Sequence, residues 1–402
     1  MNTSHSAKRP GRLFLILTLG SLSTISPFAI DLYLPAFSQM AEFFQTTSAR
    51  VALSLSSYFV GLAVGQLFYG PLLDRWGRKR PLYFGLGLFV AASFACWQAS
   101  SVDELIAVRF LQALGGCVAG VAATAMVRDF FPPQEGAKVF SLLMLVLSVS
   151  PLLAPTIGGF VTAYLGWRWV FLLLAVIVSL ILANVIFFLP EGHEPDRAVS
   201  LKPVEILKGY WRILREPKFH AFAGAAALSF SGLFAYVAGA PLIFMENFGV
   251  GPELFGLIFA GLSVGLIGAS QLNILLIRRF RGDQVFLFGL MAQSVVGLVF
   301  FLGTWAGVYG LASTILLLFL FLSSLGLIFP NASALALAPF SRNAGSASAL
   351  LGFLQIGAGA LASGVIGLVA GKSILPIAAV LSATAFAGLL AFLVGKKRLP
   401  LN

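Results

Sequence analysis

Charge is scarce in this chain. Asp, Glu, Lys and Arg make up 10% of its 402 residues, whereas hydrophobic residues make up 59%. A typical soluble domain carries about 25% charged residues, so this composition excludes an ordinary soluble domain and predicts a polytopic membrane protein. The net charge is +11, but the bases fall in short clusters between apolar runs. That distribution argues against nucleic acid as a partner.

Cysteine and histidine are also rare. The two cysteines, Cys96 and Cys117, both lie within apolar runs and predict neither a disulfide framework nor a metal site. The three histidines lie outside or at the edge of those runs, and no nucleophile–base arrangement is evident. The sequence has no Walker-type phosphate loop, which argues against nucleotide hydrolysis as an energy source. An enzyme is therefore the least favoured class, and no cofactor or metal is expected.

Long apolar runs are what the chain has instead. A helix needs about 20 apolar residues to cross the hydrocarbon core, and runs of that length without alternation are helices, because lipid satisfies no backbone hydrogen bond. The basic N-terminus resembles a signal peptide, but the length of the first run favours an uncleaved span. We place twelve spans near 13–37, 49–70, 81–100, 104–127, 138–162, 167–189, 221–245, 254–277, 284–305, 309–331, 344–370 and 374–394.

Lysine and arginine predict the orientation of these spans. With the N-terminus inside, 22 of the 26 bases lie in cytoplasmic segments. Arg50, Arg168 and Lys372 lie on the opposite side, and Arg109 lies within a span. Cytoplasmic loops carry the excess of Lys and Arg, so both termini are expected in the cytoplasm.

The longest connection between spans divides the chain into two halves. We predict an N-terminal six-helix bundle over 1–190, a cytoplasmic linker over 191–220 and a C-terminal six-helix bundle over 221–402. Gly61 and Gly65 recur as Gly261 and Gly265, which is a weak sign of duplication. Two such halves with a site between them are typical of secondary transporters. The linker is expected to be a passive tether, although 204–214 is amphipathic and could lie on the membrane surface.

Asp31 in the first span and Arg109 in the fourth are the two charged side chains well inside the spans. A charge at bilayer depth costs roughly 2.5–3.5 kcal/mol on insertion scales. Both residues lie about 7–9 Å below the outer face by helix rise, so they sit at matching depth. We interpret them as a proton- or substrate-coupling pair. The alternative is a static ion pair that orients two helices.

The loop after the second span contains Gly70, Asp74, Arg75, Gly77 and Arg78. It resembles the signature loop of the major facilitator superfamily. Such a loop suits a conformational latch, in which Arg78 pairs with an acid at the end of another span. Asp129 is the predicted partner. A plain positive-inside anchor would explain the bases, but neither Asp74 nor the glycine spacing.

Four further segments extend the resemblance from the first span to the eleventh: 31–35, 109–115 with 127–129, 150–159 and 345–355. Together they are similar to the Bcr/CflA drug-resistance subfamily, which exports compounds such as bicyclomycin and chloramphenicol. The resemblance implies an all-α membrane protein with the major facilitator fold, acting as a monomeric drug/proton antiporter of the bacterial inner membrane. In this superfamily spans one and four both line the central cavity of the N-terminal half, so contact or near contact between Asp31 and Arg109 is expected. Its partners would be small-molecule drugs, protons and the lipid bilayer, and the proton gradient would supply the energy.

The chain departs from the family pattern in two places. Ser150-Pro151 and Ala154-Pro155 stand where proton antiporters usually have more glycines, and Ile274 stands where a second Asp74 would align. The latch is therefore expected to be asymmetric. The segment with Pro151, Pro155, Gly158 and Gly159 is predicted to bend its helix.

Several polar or amphipathic side chains in the spans are candidates for the substrate cavity, although each could instead bond a neighbouring helix. They are Tyr33, Tyr58, Gln66, Gln112, Tyr236, Asn273, Asn331 and Gln355.

Two alternatives to drug export remain open on sequence grounds. One is a proton-coupled exporter or importer of a small metabolite on the same fold, such as a sugar, nucleoside or amino-acid-like solute. The other is a membrane receptor or assembly partner that no longer transports. The latch loop and the Asp31/Arg109 pair argue against the second alternative.

Overall fold

A computed structural model describes residues 11–192, 195–196, 201–340, 344–369 and 373–397. In these ranges the chain folds into helices without a β-strand. Lys372 and parts of the predicted linker and termini lie outside the described residues. In chain order the helices are α1 (Arg12–Asp31), α2 (Phe37–Phe43), α3 (Ser48–Trp76), α4 (Lys79–Gln98), α5 (Val102–Phe130), α6 (Pro133–Tyr164), α7 (Trp167–Phe187), α8 (Pro203–Leu214), α9 (Pro217–Pro241), α10 (Pro252–Leu276), α11 (Gly282–Trp305), α12 (Leu311–Leu337), α13 (Ala344–Val369) and α14 (Leu375–Lys396).

The apolar helices account for the twelve expected spans. Eleven segments among the described residues are long and apolar enough to cross a membrane, with α1 and α2 counted together. The twelfth is α6, a helix of 32 residues whose described apolar stretch is Val149–Tyr164. A π-helical turn, Leu242–Asn247, continues α9. The prediction of an all-α membrane protein is therefore confirmed.

Helix boundaries follow from local chemistry. The Thr47 side chain accepts a hydrogen bond from the backbone N–H of Arg50, and Ser101 does the same for Glu104, so both residues cap the first turn of their helices. α3 ends before Gly77, whose φ of 80° is a conformation that favours glycine. α3 thus runs six residues past its predicted end at 70, because its last turns continue beyond the apolar run.

The two halves meet at one end of the molecule and separate at the other. We call the end with Gly77, Arg78 and α8 the basic end, and the end with Gly166 the opposite end. At the opposite end α6 packs on α10, and α3 packs on α13, where the hydroxyls of Ser56 and Ser363 lie 2.9 Å apart. At the basic end a cavity of about 850 Å³ lies between α3 and α5 of one half and α12 and α13 of the other. The molecule is therefore closed at the opposite end and open at the basic end.

The linker is more structured than a passive tether. It contains α8, whose Tyr210 hydroxyl donates a hydrogen bond to the Leu67 carbonyl of α3 at 3.2 Å. Pro71 lies four residues after Leu67 and has no N–H, so the helix itself supplies no donor to that carbonyl. The linker thus satisfies a backbone group that the proline leaves without a partner.

Candidate functional site

Asp31 lies at the last residue of α1 and lines a cavity of about 330 Å³ between the two halves. α1 ends here because Pro35 provides no N–H for the Asp31 carbonyl and restricts the residue before it. Gln66 and Gly120 line both this central cavity and the larger cavity at the basic end. The central cavity is therefore the inner end of the opening at the basic end.

The walls of the central cavity are mainly apolar. Phe234 of α9 and Phe259 of α10 face it from the C-terminal half, and Pro27 and Ile30 of α1 face it from the N-terminal half. Its polar lining, besides Asp31, consists of hydroxyls, one amide and one thiol. Among the described residues no Lys, Arg or His lines this cavity, and the Asp31 carboxylate forms no ion pair or hydrogen bond there.

Arg109 is fully buried in the N-terminal bundle rather than in the cavity. Its guanidinium lies between the rings of Tyr33 and Tyr58, 4.2 and 4.1 Å from their centroids. One terminal nitrogen donates to the Ala29 carbonyl at 2.9 Å, and the other donates to the Gln112 side chain. The charge is thus held by two aromatic faces and by hydrogen bonds, a combination that stabilises a desolvated guanidinium.

The expected contact between Asp31 and Arg109 is wrong, because no ion pair joins them in the described structure. Arg109 contacts α1 at Ala29, and Asp31 follows two residues later. Successive residues of a helix are about 100° apart, so the two positions face nearly opposite sides of α1. Matching depth therefore did not imply contact: one side faces the bundle interior and the other faces the cavity.

The predicted cavity residues divide into two groups. Tyr236 and Gln66 line the central cavity, and Gln66 and Gln355 line the cavity at the basic end. The other five do not line either cavity, so their assignment to it was wrong. Tyr33, Tyr58 and Gln112 surround Arg109, while Asn331 donates a hydrogen bond of 2.6 Å to Asn273 and joins α12 to α10.

Sequence reasoning missed the aromatic part of the cavity lining. Phe234 and Phe259 are two of 38 phenylalanines, and nothing in their local sequence separates them from the phenylalanines that face lipid. Their side chains lie in the cavity because α9 and α10 both border the interface between the halves.

The predicted latch contacts are present in the structure. Arg78 Nε lies 2.8 Å from Asp129 Oδ2, and Arg78 Nη1 lies 2.7 Å from Asp74 Oδ1. Burial opposes the charge of Arg78, but the hydrogen bonds to Asp129 and Asp74 outweigh it and raise the pKa of the guanidinium. The loop of α3 and α4 is thereby fastened to the end of α5. Whether this contact acts as a latch during transport stays a prediction.

The first residues of the linker add contacts that the sequence did not indicate. A Glu191 side-chain oxygen accepts from the backbone N–H groups of Arg78 at 2.5 Å and Lys79 at 3.3 Å, at the start of α4. A carboxylate there is favoured by the free N–H groups and the helix dipole. The backbone N–H of Asp196 donates to the Asp74 carbonyl at 3.1 Å. The linker therefore packs directly on the latch loop.

The α6 glycines allow close helix contacts at the opposite end. A Cβ atom on Gly158 would lie 1.8 Å from the Leu32 carbonyl oxygen, and one on Gly159 would lie 2.5 Å from the Pro252 carbonyl oxygen. Pro151 lines the central cavity. The glycines of this segment thus bring α6 against α1 and α10, while a bend at Pro151 and Pro155 stays a prediction.

Two six-helix halves, with a central cavity open at one end and closed at the other, are the architecture of a secondary membrane transporter. The chain belongs to the Major Facilitator Superfamily, whose sequence model matches residues 19–363.

Curated relatives support the same family. The chain is 31% identical over 393 residues to an uncharacterized MFS-type transporter of Bacillus subtilis, which covers 96% of each chain. It is 31% identical to a bicyclomycin resistance protein homolog of Haemophilus influenzae (86% of this chain, 87% of the relative). It is 30% identical to Multidrug resistance protein D of Escherichia coli, covering 89% of each chain. These relatives are consistent with the Bcr/CflA resemblance.

A solved structure shares the fold at low sequence identity. The D-xylose-proton symporter structure superposes with a TM-score of 0.76 over 96% of this chain and 97% of the symporter, at 16% identity. This likeness supports the fold. The family and its neighbours are membrane transporters and not enzymes.

Proposed function

We propose that this protein is a proton-coupled drug exporter of the bacterial inner membrane, with its basic end and both termini in the cytoplasm. The observation that carries the proposal is the Asp31 carboxylate, which lies on the wall of a largely apolar central cavity and has no ion-pair partner among the residues that the structure describes. The resistance proteins among the relatives support the export function. The bases of the Arg78 loop and of α8 support the orientation, because cytoplasmic loops carry the excess of Lys and Arg.

An unpaired carboxylate in an apolar cavity is costly, since burying an ion without a partner costs several kcal/mol. Two events relieve this cost: Asp31 binds a proton, or a drug supplies a hydrogen-bond donor or positive charge beside it. Because both events occupy the same carboxylate, one excludes the other. Such exclusion is what exchange of a drug for a proton requires.

The cavity suits a ligand of drug size. Small-molecule sites typically enclose about 300–1,000 Å³, and the central cavity is about 330 Å³. Its aromatic wall at Phe234 and Phe259 provides apolar area without fixing a single orientation, as expected for varied lipophilic compounds. In the cycle we propose, a drug enters from the basic end, the halves rock, and a proton from the outside replaces it.

In this proposal Arg109 acts through α1 rather than on the drug. Its hydrogen bond to the Ala29 carbonyl fixes the turn that precedes Asp31, and its place between two rings keeps the cation out of the cavity. Arg109 is therefore a positioning residue that leaves Asp31 unneutralised.

Proton release tests the proposal. Inside-out vesicles that contain the parent protein, its Asp31→Asn variant or its Asp103→Asn variant are energised. Drugs including chloramphenicol are then added, and the proton gradient is followed. Asp103 is an exposed acid paired with Arg50 at the opposite end, so it controls for loss of a carboxylate. We expect drug-induced collapse of the proton gradient in the parent and in Asp103→Asn, and none in Asp31→Asn.

Two results would count against this function. Equal responses of all three proteins would remove Asp31 from coupling. No response to any drug, together with a response to a sugar, nucleoside or amino-acid-like solute, would favour a metabolite carrier on the same fold.

A further inference from the structure

The linker helix α8 has two different apolar faces. Tyr210 and Ile213 are buried against the protein. On a neighbouring stripe Val204, Leu207 and Trp211 are 61%, 61% and 57% exposed. Their spacing of three and four residues places them side by side on the helix. An exposed apolar stripe of this kind on a short amphipathic helix indicates contact with a protein or a membrane.

The position of α8 indicates what covers this stripe. Tyr210 is bonded to the Leu67 carbonyl of α3. About 29 Å of helix separates Ser48, the first residue of α3, from Leu67 at 1.5 Å per residue. That length is close to the thickness of the hydrocarbon core, about 30 Å. α8 is therefore held where the acyl chains end and the headgroups begin.

A row of bases borders the exposed stripe. Lys208, Arg212 and Arg215 are all exposed, and at 100° per residue they follow Val204 around the helix on the side away from the buried face. The Arg215 guanidinium lies 5.1 Å from the centre of the Trp211 ring. Glu205, the exposed acid of α8, lies beyond this row. The order around the helix is thus protein, apolar stripe, then bases.

We propose that α8 binds anionic phospholipids of the leaflet at the basic end of the protein. Val204, Leu207 and Trp211 contact the upper acyl chains, and Lys208, Arg212 and Arg215 contact the phosphate headgroups. This arrangement is that of an interfacial amphipathic helix, in which apolar burial and attraction to anionic lipid act together. The Tyr210 contact fixes the depth of the helix, so the lipid site is built into the fold of the transporter.

Quenching of Trp211 by brominated lipids tests this site. The full chain is placed in phosphatidylcholine nanodiscs that contain the same mole fraction of brominated phosphatidylglycerol or brominated phosphatidylcholine. Because the chain has six tryptophans, the Trp211 signal is obtained by subtracting the matching Trp211→Phe protein. The ratio of the two quenching constants measures the local enrichment of the anionic lipid.

Two triple variants provide the comparison. One carries Lys208→Gln, Arg212→Gln and Arg215→Gln. The matched control carries three Gln substitutions at exposed bases elsewhere at the basic end, Arg278, Arg279 and Lys396. Each base near an anionic surface contributes roughly fivefold to binding. We expect the enrichment of the anionic lipid to fall at least fivefold in the α8 variant and to persist in the control. In the parent it should decrease at about 1 M salt, because charges are then screened beyond ~3 Å.

Equal quenching by the two lipids in the parent, or equal enrichment in the two triple variants, would overturn the proposal. Absence of Trp211 quenching by either lipid would show that something other than the bilayer covers the stripe. Size-exclusion profiles and helical circular dichroism identify a variant that has failed to fold. The measurement needs no transport, and both leaflets have the same composition, so its outcome is independent of the proposed function and orientation.

Discussion

Asp31 and Arg109 lie in the same six-helix bundle, but α1 directs them to different places. Arg109 contacts the Ala29 carbonyl inside the bundle, while Asp31 faces the cavity between the halves. A buried ion pair and two separate charges respond differently to mutation. Removing one partner of a buried pair costs about 3–5 kcal/mol, whereas removing an unpaired buried charge relieves a desolvation cost.

We therefore expect Asp31→Asn to leave the melting temperature unchanged or raise it. Arg109→Gln should lower the free energy of unfolding by about 3 kcal/mol, because it removes the contacts with two rings and leaves the Ala29 carbonyl and Gln112 without their donor. Thermal unfolding of the two purified variants, followed by intrinsic fluorescence, checks this prediction. A comparable loss of stability in both variants would indicate an ion pair instead of the separate sites described above.

Arg109→Lys tests the aromatic contacts of the guanidinium. A lysine keeps the charge, but it cannot present a flat cation to Tyr33 and Tyr58 or donate to Ala29 and Gln112 from two nitrogens at once. We expect a loss of about 2 kcal/mol in unfolding free energy, whereas Arg50→Lys, at an exposed pair with Asp103, should cost less than about 1 kcal/mol. Equal melting temperatures for the two variants would mean that only the charge of Arg109 matters.

Much of this architecture could be predicted from the sequence, because the strongest signals are physical necessities. Apolar runs of membrane-spanning length must be helical, and the partner of Arg78 had to be an acid at a nearby helix end, which is Asp129. The sequence does not indicate which way a side chain points from a helix that is apolar on all sides, because no polar face distinguishes one side from another. Asp31, Tyr33 and Tyr58 are all polar groups in spans, yet one faces the cavity and two face Arg109.

The two acids that bind Arg78 should differ in their contribution to stability. The Asp129 side chain is 11% exposed and that of Asp74 is 53% exposed, so water screens the second pair much more than the first. We expect Asp129→Asn to cost about 3 kcal/mol and Asp74→Asn less than about 1 kcal/mol. Chemical or thermal unfolding of both variants measures the difference. If Asp74→Asn were the more damaging change, the loop would depend on a contact other than the two ion pairs.

The hydrogen bond from Tyr210 to Leu67 can be tested together with Pro71. Tyr210→Phe removes the donor and leaves the Leu67 carbonyl without a partner, which should cost about 1 kcal/mol. In a Pro71→Ala background, residue 71 regains an N–H that can bond the same carbonyl within α3. The cost of Tyr210→Phe should therefore become smaller in the Pro71→Ala protein. A double-mutant cycle on unfolding free energies gives the coupling, and strictly additive effects would exclude this explanation of the contact.

Close backbone contact between α6 and α10 should control closure at the opposite end. A Cβ on Gly256 would lie 2.7 Å from the Pro155 carbonyl oxygen, nearer than Cβ atoms approach other heavy atoms in folded proteins. Gly256→Ala must therefore separate the halves there and shift the population toward a state open at the opposite end. Gly261 lies on the same helix with no atom within 4 Å of an added Cβ, so Gly261→Ala is the matched control. Distances between spin labels on α6 and α10 should lengthen in Gly256→Ala and stay unchanged in Gly261→Ala. Unchanged distances in both variants would mean that the contact adjusts locally and does not hold the halves together.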